Sequence, residues 1–288
     1  MDNLIEQEFE KAKCEIGIEE FNRRFRSIEN KPVLDFVNTI VLNLPGSCGA
    51  NCSYCIDKQL RKTSVLFNKF RQSYLKAFGL FQNIKHLCIT GGNLPYDEFN
   101  TIIADIRQCY DANNLEVTWN TNGIGLNILY DTYYINFINL HLNSHDEQEN
   151  QKIFASKTKP ISIDEAKDLF GDKLNLRITI DEKFNIDNYA KFGIPLYLNR
   201  LLPGTEESHK IYLDTIQKLN LSKQIDRRRR NVYLTTNYNK IPIRICVGDK
   251  IAKHIPNRHP TWLNVCIVHR SGKVCGSWFE DDKFLFDE

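Results

Sequence analysis

Three cysteines, Cys48, Cys52 and Cys55, stand within an eight-residue segment. Thiolates are soft ligands that prefer zinc, copper(I) and iron–sulfur clusters, so three at this spacing can face one metal centre. A structural zinc site takes four protein ligands, and the next candidates, His86 and Cys88, come much later in the chain. A 4Fe–4S cluster with one iron open to a non-protein ligand fits three cysteines better. Zinc, and three cysteines that only pack in a loop, are the alternatives.

The other cysteines are more widely spaced. Cys88 falls inside a predicted strand and Cys109 on the apolar stripe of a predicted helix, so we expect both to be core thiols. Cys246, Cys266 and Cys275 lie in a strand-rich C-terminal region, where a predicted hairpin puts the last two on one face. These three could hold an auxiliary iron–sulfur cluster, but their wide spacing favours packing or a substrate contact.

Composition excludes several classes of protein. The 288-residue chain has 38 basic and 36 acidic residues, a formal charge of +2, which argues against a polybasic nucleic-acid binder. The four arginines at 227–230 are therefore expected to form a solvated loop. A mean hydropathy of −0.42 and the lack of a long apolar run predict no membrane span. The N-terminal segment is charged, unlike a secretory signal, so we expect a cytoplasmic location.

Strand-like and helical segments alternate along the chain. Predicted strands occupy residues 33–44, 85–90, 115–120, 133–142, 174–180 and 195–202. Predicted helices occupy residues 58–78, 96–113, 162–170, 186–192 and 206–219. Ser162 and Glu165 have the spacing of a capping box at a helix start. A strand, a polar loop and a helix, repeated about six times, predict a parallel sheet with crossover helices.

The polar and glycine-rich segments all follow predicted strands. Because the carboxyl ends of parallel strands meet at one edge, these segments should converge there. From about Asn231 the pattern becomes β-rich. We therefore predict an α/β fold over residues 37–230, whose parallel strands either close into a barrel or leave it open. A helical lead-in at 1–36 precedes this region, and a C-terminal β-rich extension at 231–288 follows it.

The cysteine spacing, C-x3-C-x2-C with Tyr54 before the last cysteine, resembles the radical S-adenosylmethionine (radical SAM) enzymes. The resemblance extends over roughly Val37 to Gly204. It implies a partial parallel (β/α)6 barrel of the TIM type over residues 37–230, with the cluster loop after the first strand and the C-terminal β extension at 231–288 capping the barrel. The loop of this chain has that position.

Further segments resemble the SAM-binding motifs of the family in the same order. Residues 90–95 resemble the second-strand glycine motif, although Asn93 stands where the family commonly has glutamate. Residues 144–146 resemble the ribose-binding Ser-x-Asp, and Arg177 the basic residue near the SAM carboxylate, with Asp181 as its alternative partner. The resemblance implies SAM contacts at Tyr54, Gly91, Gly92, Asn93, Asn122, Ser144, Asp146, Arg177 and Leu201.

The resemblance also implies an activity. A 4Fe–4S cluster on Cys48, Cys52 and Cys55 would cleave SAM reductively, and the 5′-deoxyadenosyl radical would abstract a substrate hydrogen. A one-electron donor such as a flavodoxin or ferredoxin would be needed, and the substrate would be a small molecule, nucleotide or peptide. The alternatives are a glycyl-radical activating enzyme that acts on a partner protein and, from another class, a zinc-stabilised binding module. No catalytic side chain is identifiable from the sequence.

Overall fold

The computed structural model describes residues 37–52, 64–81, 84–111, 114–126, 128–200, 205–219, 222–226, 231–246 and 265–275. The predicted N-terminal lead-in and the arginine run at 227–230 lie outside these residues. Among the predicted site residues, Tyr54, Cys55 and Leu201 lie outside them as well.

Eleven strands in the described part of the chain form one sheet. They are β1 Thr39–Leu44, β2 His86–Gly91, β3 Glu116–Thr121, β4 Phe137–Leu142, β5 Leu174–Ile180, β6 Leu196–Arg200, β7 Ser222–Asp226, β8 Asn231–Tyr238, β9 Ile241–Cys246, β10 Val265–Val268 and β11 Val274–Cys275. Strands β1 to β6 lie side by side in chain order, each parallel to the next. The predicted parallel α/β sheet is therefore confirmed.

Helices connect most of these parallel strands. They are α1 Phe67–Leu80, α2 Tyr96–Cys109, α3 Glu147–Ile153, α4 Ile163–Phe170, α5 Asp187–Ala190 and α6 Glu206–Lys218. The capping box of Ser162 and Glu165 is confirmed at the start of α4. Helix α1 starts at Phe67, later than predicted, because its N-cap Leu66 is extended and Val65 donates its N–H to the carbonyl of Arg270 at 3.0 Å. None of the described helices has both the length and the apolar character that a bilayer span requires.

The C-terminal strands lengthen the sheet at both of its ends. Strand β9 is parallel to β6, and β8 and β7 follow it as antiparallel neighbours. Strand β10 is parallel to β1 at the other end, with β11 antiparallel beyond it. The predicted turn between β10 and β11 is confirmed, since His269 donates its N–H to the carbonyl of Lys273 at 2.8 Å.

The two faces of the sheet differ in chemistry because successive side chains of a strand point to opposite sides. In β5, Leu174, Leu176 and Ile178 belong to the hydrophobic core. The core also contains buried helix residues such as Phe70 and Ile102, so this is the outer, helix-covered face. The alternate residues of the parallel strands are mostly polar and form the inner, concave face of the partial barrel.

A buried carboxylate joins α1 to α2 on the outer side. Asp105 is 5% exposed and accepts hydrogen bonds from Arg71 Nε and NH2 at 2.7 and 2.8 Å. The hydroxyl of the fully buried Tyr74 donates to the same carboxylate at 2.5 Å. Burial alone would raise the pKa of Asp105, but the hydrogen bonds from Arg71 and Tyr74 outweigh it, and the pKa is lowered. The carboxylate is thus held charged between the two helices.

We expect Asp105→Ala to lower the free energy of unfolding by about 3 kcal/mol, because it leaves the Tyr74 hydroxyl buried without its acceptor and breaks the pair with Arg71. Since the folded pKa is lowered, this stabilisation is present above the unfolded pKa and is lost as the pH falls below about 4. Urea denaturation at pH 7 measures the change. The control Asp97→Ala, at an exposed position in the first turn of α2, should cost less than about 1 kcal/mol. Equal losses in the two variants would contradict the assignment.

Candidate active site

The loop that follows β1 carries Cys48 and Cys52, both half-buried. Their side chains pack against a small apolar cluster made by Ala50, Ile124 and Phe154. The N–H of Asn51 donates to the carbonyl of Phe154 at 2.7 Å, which ties the loop to the end of α3. Two of the three predicted metal-binding thiols therefore sit on a loop that other parts of the chain hold in place.

The loops after β1 and β2 approach each other too closely to admit a side chain. A Cβ at Gly92 would lie 1.6 Å from the carbonyl oxygen of Gly46, and a Cβ at Gly46 would lie 1.9 Å from the carbonyl oxygen of Asn93. Gly91, at φ +101°, has a conformation that residues with a side chain rarely adopt. These glycines are required by backbone contact between the cysteine loop and the predicted SAM-binding loop.

Two asparagine side chains cross-link the loops after the first three strands. Asn93 donates its backbone N–H to the carbonyl of Ser47 at 2.8 Å. Its side-chain Nδ2 donates to the carbonyl of Ile124 at 2.5 Å. Asn122 donates from Nδ2 to the carbonyl of Cys48 at 3.0 Å and accepts at Oδ1 from the N–H of Ile124 at 3.1 Å. A glutamate at position 93 has no donor for the Ile124 carbonyl, which gives the departure from the family pattern a structural reason.

The predicted ribose-binding residues also build the start of α3. The hydroxyl of Ser144 donates to Glu149 Oε2 at 2.8 Å and accepts from the N–H of Asp146 at 3.1 Å. Asp146 is the N-cap of α3 and accepts from the N–H of Glu149 at 2.8 Å. Asn150, which sequence reasoning missed, is 3% exposed and accepts at Oδ1 from the N–H groups of Asn143 and Ser144, both at 2.9 Å. A ribose contact at Ser144 and Asp146 stays a prediction.

Arg177 lies on the inner face of β5, in register with His141 of β4 and Tyr197 of β6. The structure gives it no hydrogen bond or ion pair within the described part of the chain. Asp181, the alternative partner, instead accepts from the N–H of Lys183 at 3.0 Å. Arg177 is therefore a cation in the interior of the partial barrel. Its N–H groups make no hydrogen bond to a carboxylate among the described residues.

Arg177 acts electrostatically on its neighbour His141. Burial, reinforced by the positive charge of Arg177, lowers the pKa of His141 to about 4. The ring Nε2 of His141 lies 2.9 Å from the hydroxyl of Thr179 on the next strand. At neutral pH His141 is therefore an uncharged hydrogen-bonding group, and Arg177 supplies the charge at this level of the barrel.

Three cysteines outside the loop lie in other surroundings than the sequence predicted. Cys88 is not a core thiol, because it lies on the polar inner face and accepts a hydrogen bond from Asn120 Nδ2 at 2.9 Å. Cys109 is exposed, since α2 ends there, beyond its buried stripe. Cys275 pairs directly with Ile267, which places it on the opposite face from Cys266.

The three C-terminal cysteines do not come together in the sheet order. Cys266 and Cys275 lie on β10 and β11, beside β1, whereas Cys246 lies on β9, beside β6. Within the part of the chain that the structure describes, no three His, Cys, Asp or Glu side chains are grouped as metal ligands would be. Burial raises the pKa of the Cys266 thiol, which suits packing in a neutral form.

Comparison with known proteins gave matches at the level of structure. No protein family and no curated protein matches the sequence. The crystal structure of Streptococcus suis SuiB bound to precursor peptide SuiA aligns with a TM-score of 0.51 and 11% identity, over 84% of this chain and 60% of that chain. Native anSMEcpe with bound AdoMet and Cp18Cys peptide aligns with a TM-score of 0.47 and 10% identity, over 83% of this chain and 73% of that chain.

The alignment with SuiB shows that the two proteins share a fold, which in this chain is an α/β partial barrel with a β-rich C-terminal extension. The fold class implied by the cysteine pattern is thereby confirmed. The chain spans about three fifths of the length of SuiB.

We expect Asn93→Asp to loosen the cysteine loop, because a carboxylate cannot donate to the Ile124 carbonyl and is repelled by it. Amide hydrogen exchange over residues 45–52 should become at least about tenfold faster. Asn100→Asp is a matched control, since Asn100 Nδ2 also donates to a carbonyl, that of Leu129, at 3.0 Å. Exchange in the loop should be unchanged in this control, and an equal response in both variants would contradict the cross-link.

The lowered pKa of His141 predicts that the stability of the folded protein depends on pH. An unfolded histidine binds a proton near pH 6.5, whereas folded His141 binds one only near pH 4, so folded-state stability falls as the pH drops through this window. His141→Gln should reduce that fall by about 3 kcal/mol, measured by urea denaturation between pH 7 and 4. Identical curves for the wild type and His141→Gln would refute the assignment.

Proposed function

We propose that the chain is a radical SAM enzyme that acts on a peptide. The observation that carries the proposal is the fixation of the cysteine loop after β1 by the loops after β2 and β3, through Gly92, Asn93 and Asn122. A non-catalytic zinc module has no need for glycine-rich and asparagine-rich loops from two further strands around its thiols. The fold shared with SuiB supports the same class.

Cys48, Cys52 and Cys55 would hold a 4Fe–4S cluster. The fit is supported by two half-buried thiols, Cys48 and Cys52, on a constrained loop with an apolar wall of Ile124 and Phe154. When bound, the cluster and SAM would together supply an electron and a 5′-deoxyadenosyl radical that removes a hydrogen atom from the substrate. The apolar wall would limit access of water to the thiolates.

The chain's own residues would position SAM at the carboxyl ends of the strands. The backbone around Gly91 and Gly92 would be held in position for the ligand by its close contact with Asn43 and Gly46, which neither residue could make with a side chain. Asn93 and Asn122 have their amide donors engaged in cross-links, so we assign them the positioning of this backbone. Arg177 would pair with the SAM carboxylate, an assignment supported by the lack of any ion pair to it within the described residues.

The substrate would occupy the inner face of the partial barrel, beyond SAM. SuiB, which shares the fold, is bound to a precursor peptide in its crystal structure, and this favours a peptide over a nucleotide or another small molecule. The polar inner face offers hydrogen bonds to a peptide backbone through residues such as Asn139 and Asn175. A cytoplasmic flavodoxin or ferredoxin would provide the electron.

Anaerobic reconstitution tests the proposal. The wild-type chain should bind about four irons and release 5′-deoxyadenosine from SAM in the presence of dithionite. The variant with Cys48, Cys52 and Cys55 all changed to Ala should lose both the iron and the cleavage. The matched control Cys109→Ala, which removes an exposed thiol, should retain both.

The zinc alternative predicts different results from the same experiment. A colourless protein with one zinc and no 5′-deoxyadenosine would refute the proposal. Cleavage that survives loss of the three cysteines would show that the cluster is held elsewhere. Iron clearly above four per chain would instead indicate a second cluster and leave the first in place.

A further inference from the structure

The inner face of the barrel carries a second arginine that the proposed SAM contacts do not use. Arg244 lies on β9, the strand by which the C-terminal region joins β6. Strand register aligns His141, Arg177, Tyr197 and Arg244 across four neighbouring strands. Arg177 and Arg244 are thus two strands apart, about 10 Å, on the same face.

Tyr197 fixes the position of Arg244. The NH1 group of Arg244 donates to the hydroxyl of Tyr197 at 3.0 Å, and the guanidinium carbon lies 5.7 Å from the centre of the ring. This is the geometry of a hydrogen bond combined with a cation–π contact. Among the described residues the guanidinium makes no other hydrogen bond, so its remaining N–H groups are available to a ligand.

The strands around Arg244 provide no counter-charge. Strands β1 to β6 and β8 to β10 contain one acidic residue, Glu116, at the beginning of β3. The carboxylate of Glu116 lies 3.9 Å from His86 Nε2 and is therefore paired with that residue. His141 is neutral near pH 7 because its pKa is lowered to about 4. The described inner face therefore has a net positive charge near Arg177 and Arg244.

Buried amides add further donors to this face. The Nδ2 atoms of Asn175 and Asn199 are buried and have no hydrogen-bond partner in the described structure. Asn199 lies two residues beyond Tyr197, on the same side of β6. Asn175 is 5% exposed and lies two residues before Arg177 on β5. A ligand that satisfies the arginines and these two amides must supply acceptor oxygens and negative charge, whereas the buried Oδ1 of Asn139, in register with Asn175, calls for a donor.

We propose that Arg244, positioned by Tyr197, binds a carboxylate of the peptide substrate. This inference rests on the proposed function, which identifies the substrate as a peptide. It adds that the peptide carries a negatively charged carboxylate. The carboxylate is either an acidic side chain or the C-terminus of the peptide. Arg177 remains with the SAM carboxylate, since the separation of the two arginines allows each to hold its own anion.

The chemistry of the donors favours a carboxylate over a phosphate. Phosphate sites in α/β proteins are commonly built from backbone N–H groups of glycine-rich loops and helix N-termini. Arg244, Tyr197 and Asn199 instead lie within strands, where the backbone donors are used by the sheet. A planar guanidinium that presents its fork to one planar carboxylate is sufficient here.

The test is an NMR titration of the full-length chain, without SAM, with four probes. N-acetyl-glutamate α-amide carries a side-chain carboxylate, N-acetyl-alanine a C-terminal carboxylate, N-acetyl-glutamine amide is neutral, and inorganic phosphate represents the other anion. At least one carboxylate probe should bind about tenfold or more tightly than the neutral probe. Whichever carboxylate binds better identifies the source of the anion.

Three variants locate the binding to the proposed residues. Arg244→Gln should remove the preference for the carboxylate, Arg244→Lys should retain part of it, and Tyr197→Phe should weaken it severalfold. Arg107→Gln is the control, because Arg107 pairs with Asp131 outside the sheet, and it should bind as the wild type does. Thermal unfolding shows whether Arg244→Gln is folded. If it is not, carboxylate binding by Arg244→Lys and Tyr197→Phe tests the inference.

Several outcomes would overturn the inference: equal binding of neutral and carboxylate probes, tighter binding of phosphate, or unchanged carboxylate binding in the Arg244 variants. SAM cleavage is measured separately on the reconstituted wild type. Cleavage without carboxylate binding would refute this inference alone. Carboxylate binding without cleavage would refute the proposed function and retain the anion site.

Discussion

The contact between the loops after β1 and β2 is the constraint on which the rest of the candidate site depends. At Gly46 and Gly92 the two backbones leave no space for a Cβ atom, so a methyl group at either position would push the loops apart. The same contact sets the position of Cys48 and Cys52 relative to the backbone of Gly91. A metal centre and its cofactor need such fixed positions, because an error of about 1 Å in orientation is costly in catalysis.

The asymmetry of the sheet governs what the barrel interior can bind. Its outer face satisfies the hydrophobic effect by packing on helices, with side chains such as Leu176 and Ile178 fully buried. The inner face carries amides, hydroxyls and two arginines, and each buried polar group without a partner costs about 1–3 kcal/mol. That cost is tolerated in a folded protein when a ligand can offset it. The polar interior is therefore itself evidence of a binding surface.

Asparagine performs much of the positioning in this molecule. Asn93 and Asn122 each connect loops from different strands, and Asn150 organises the start of α3. An amide side chain offers both a donor and an acceptor without a charge, so it can bridge backbone groups in partly buried places where a carboxylate would be desolvated at greater cost. Asn93, at a position where the enzymes that the sequence resembles commonly have glutamate, is consistent with this preference.

The sequence by itself determined the local features. The spacing of Cys48 and Cys52, the capping box of Ser162 and the succession of β1 to β6 follow from short-range patterns, and the fold class followed from them. Only the tertiary structure decided which side of a strand Cys88 and Arg177 occupy, how β9 and β10 extend the sheet at opposite ends, and that Cys275 faces away from Cys266. Strand register and pairing depend on contacts between residues far apart in the chain, and a shift of one residue reverses every side chain. No local pattern contains that information.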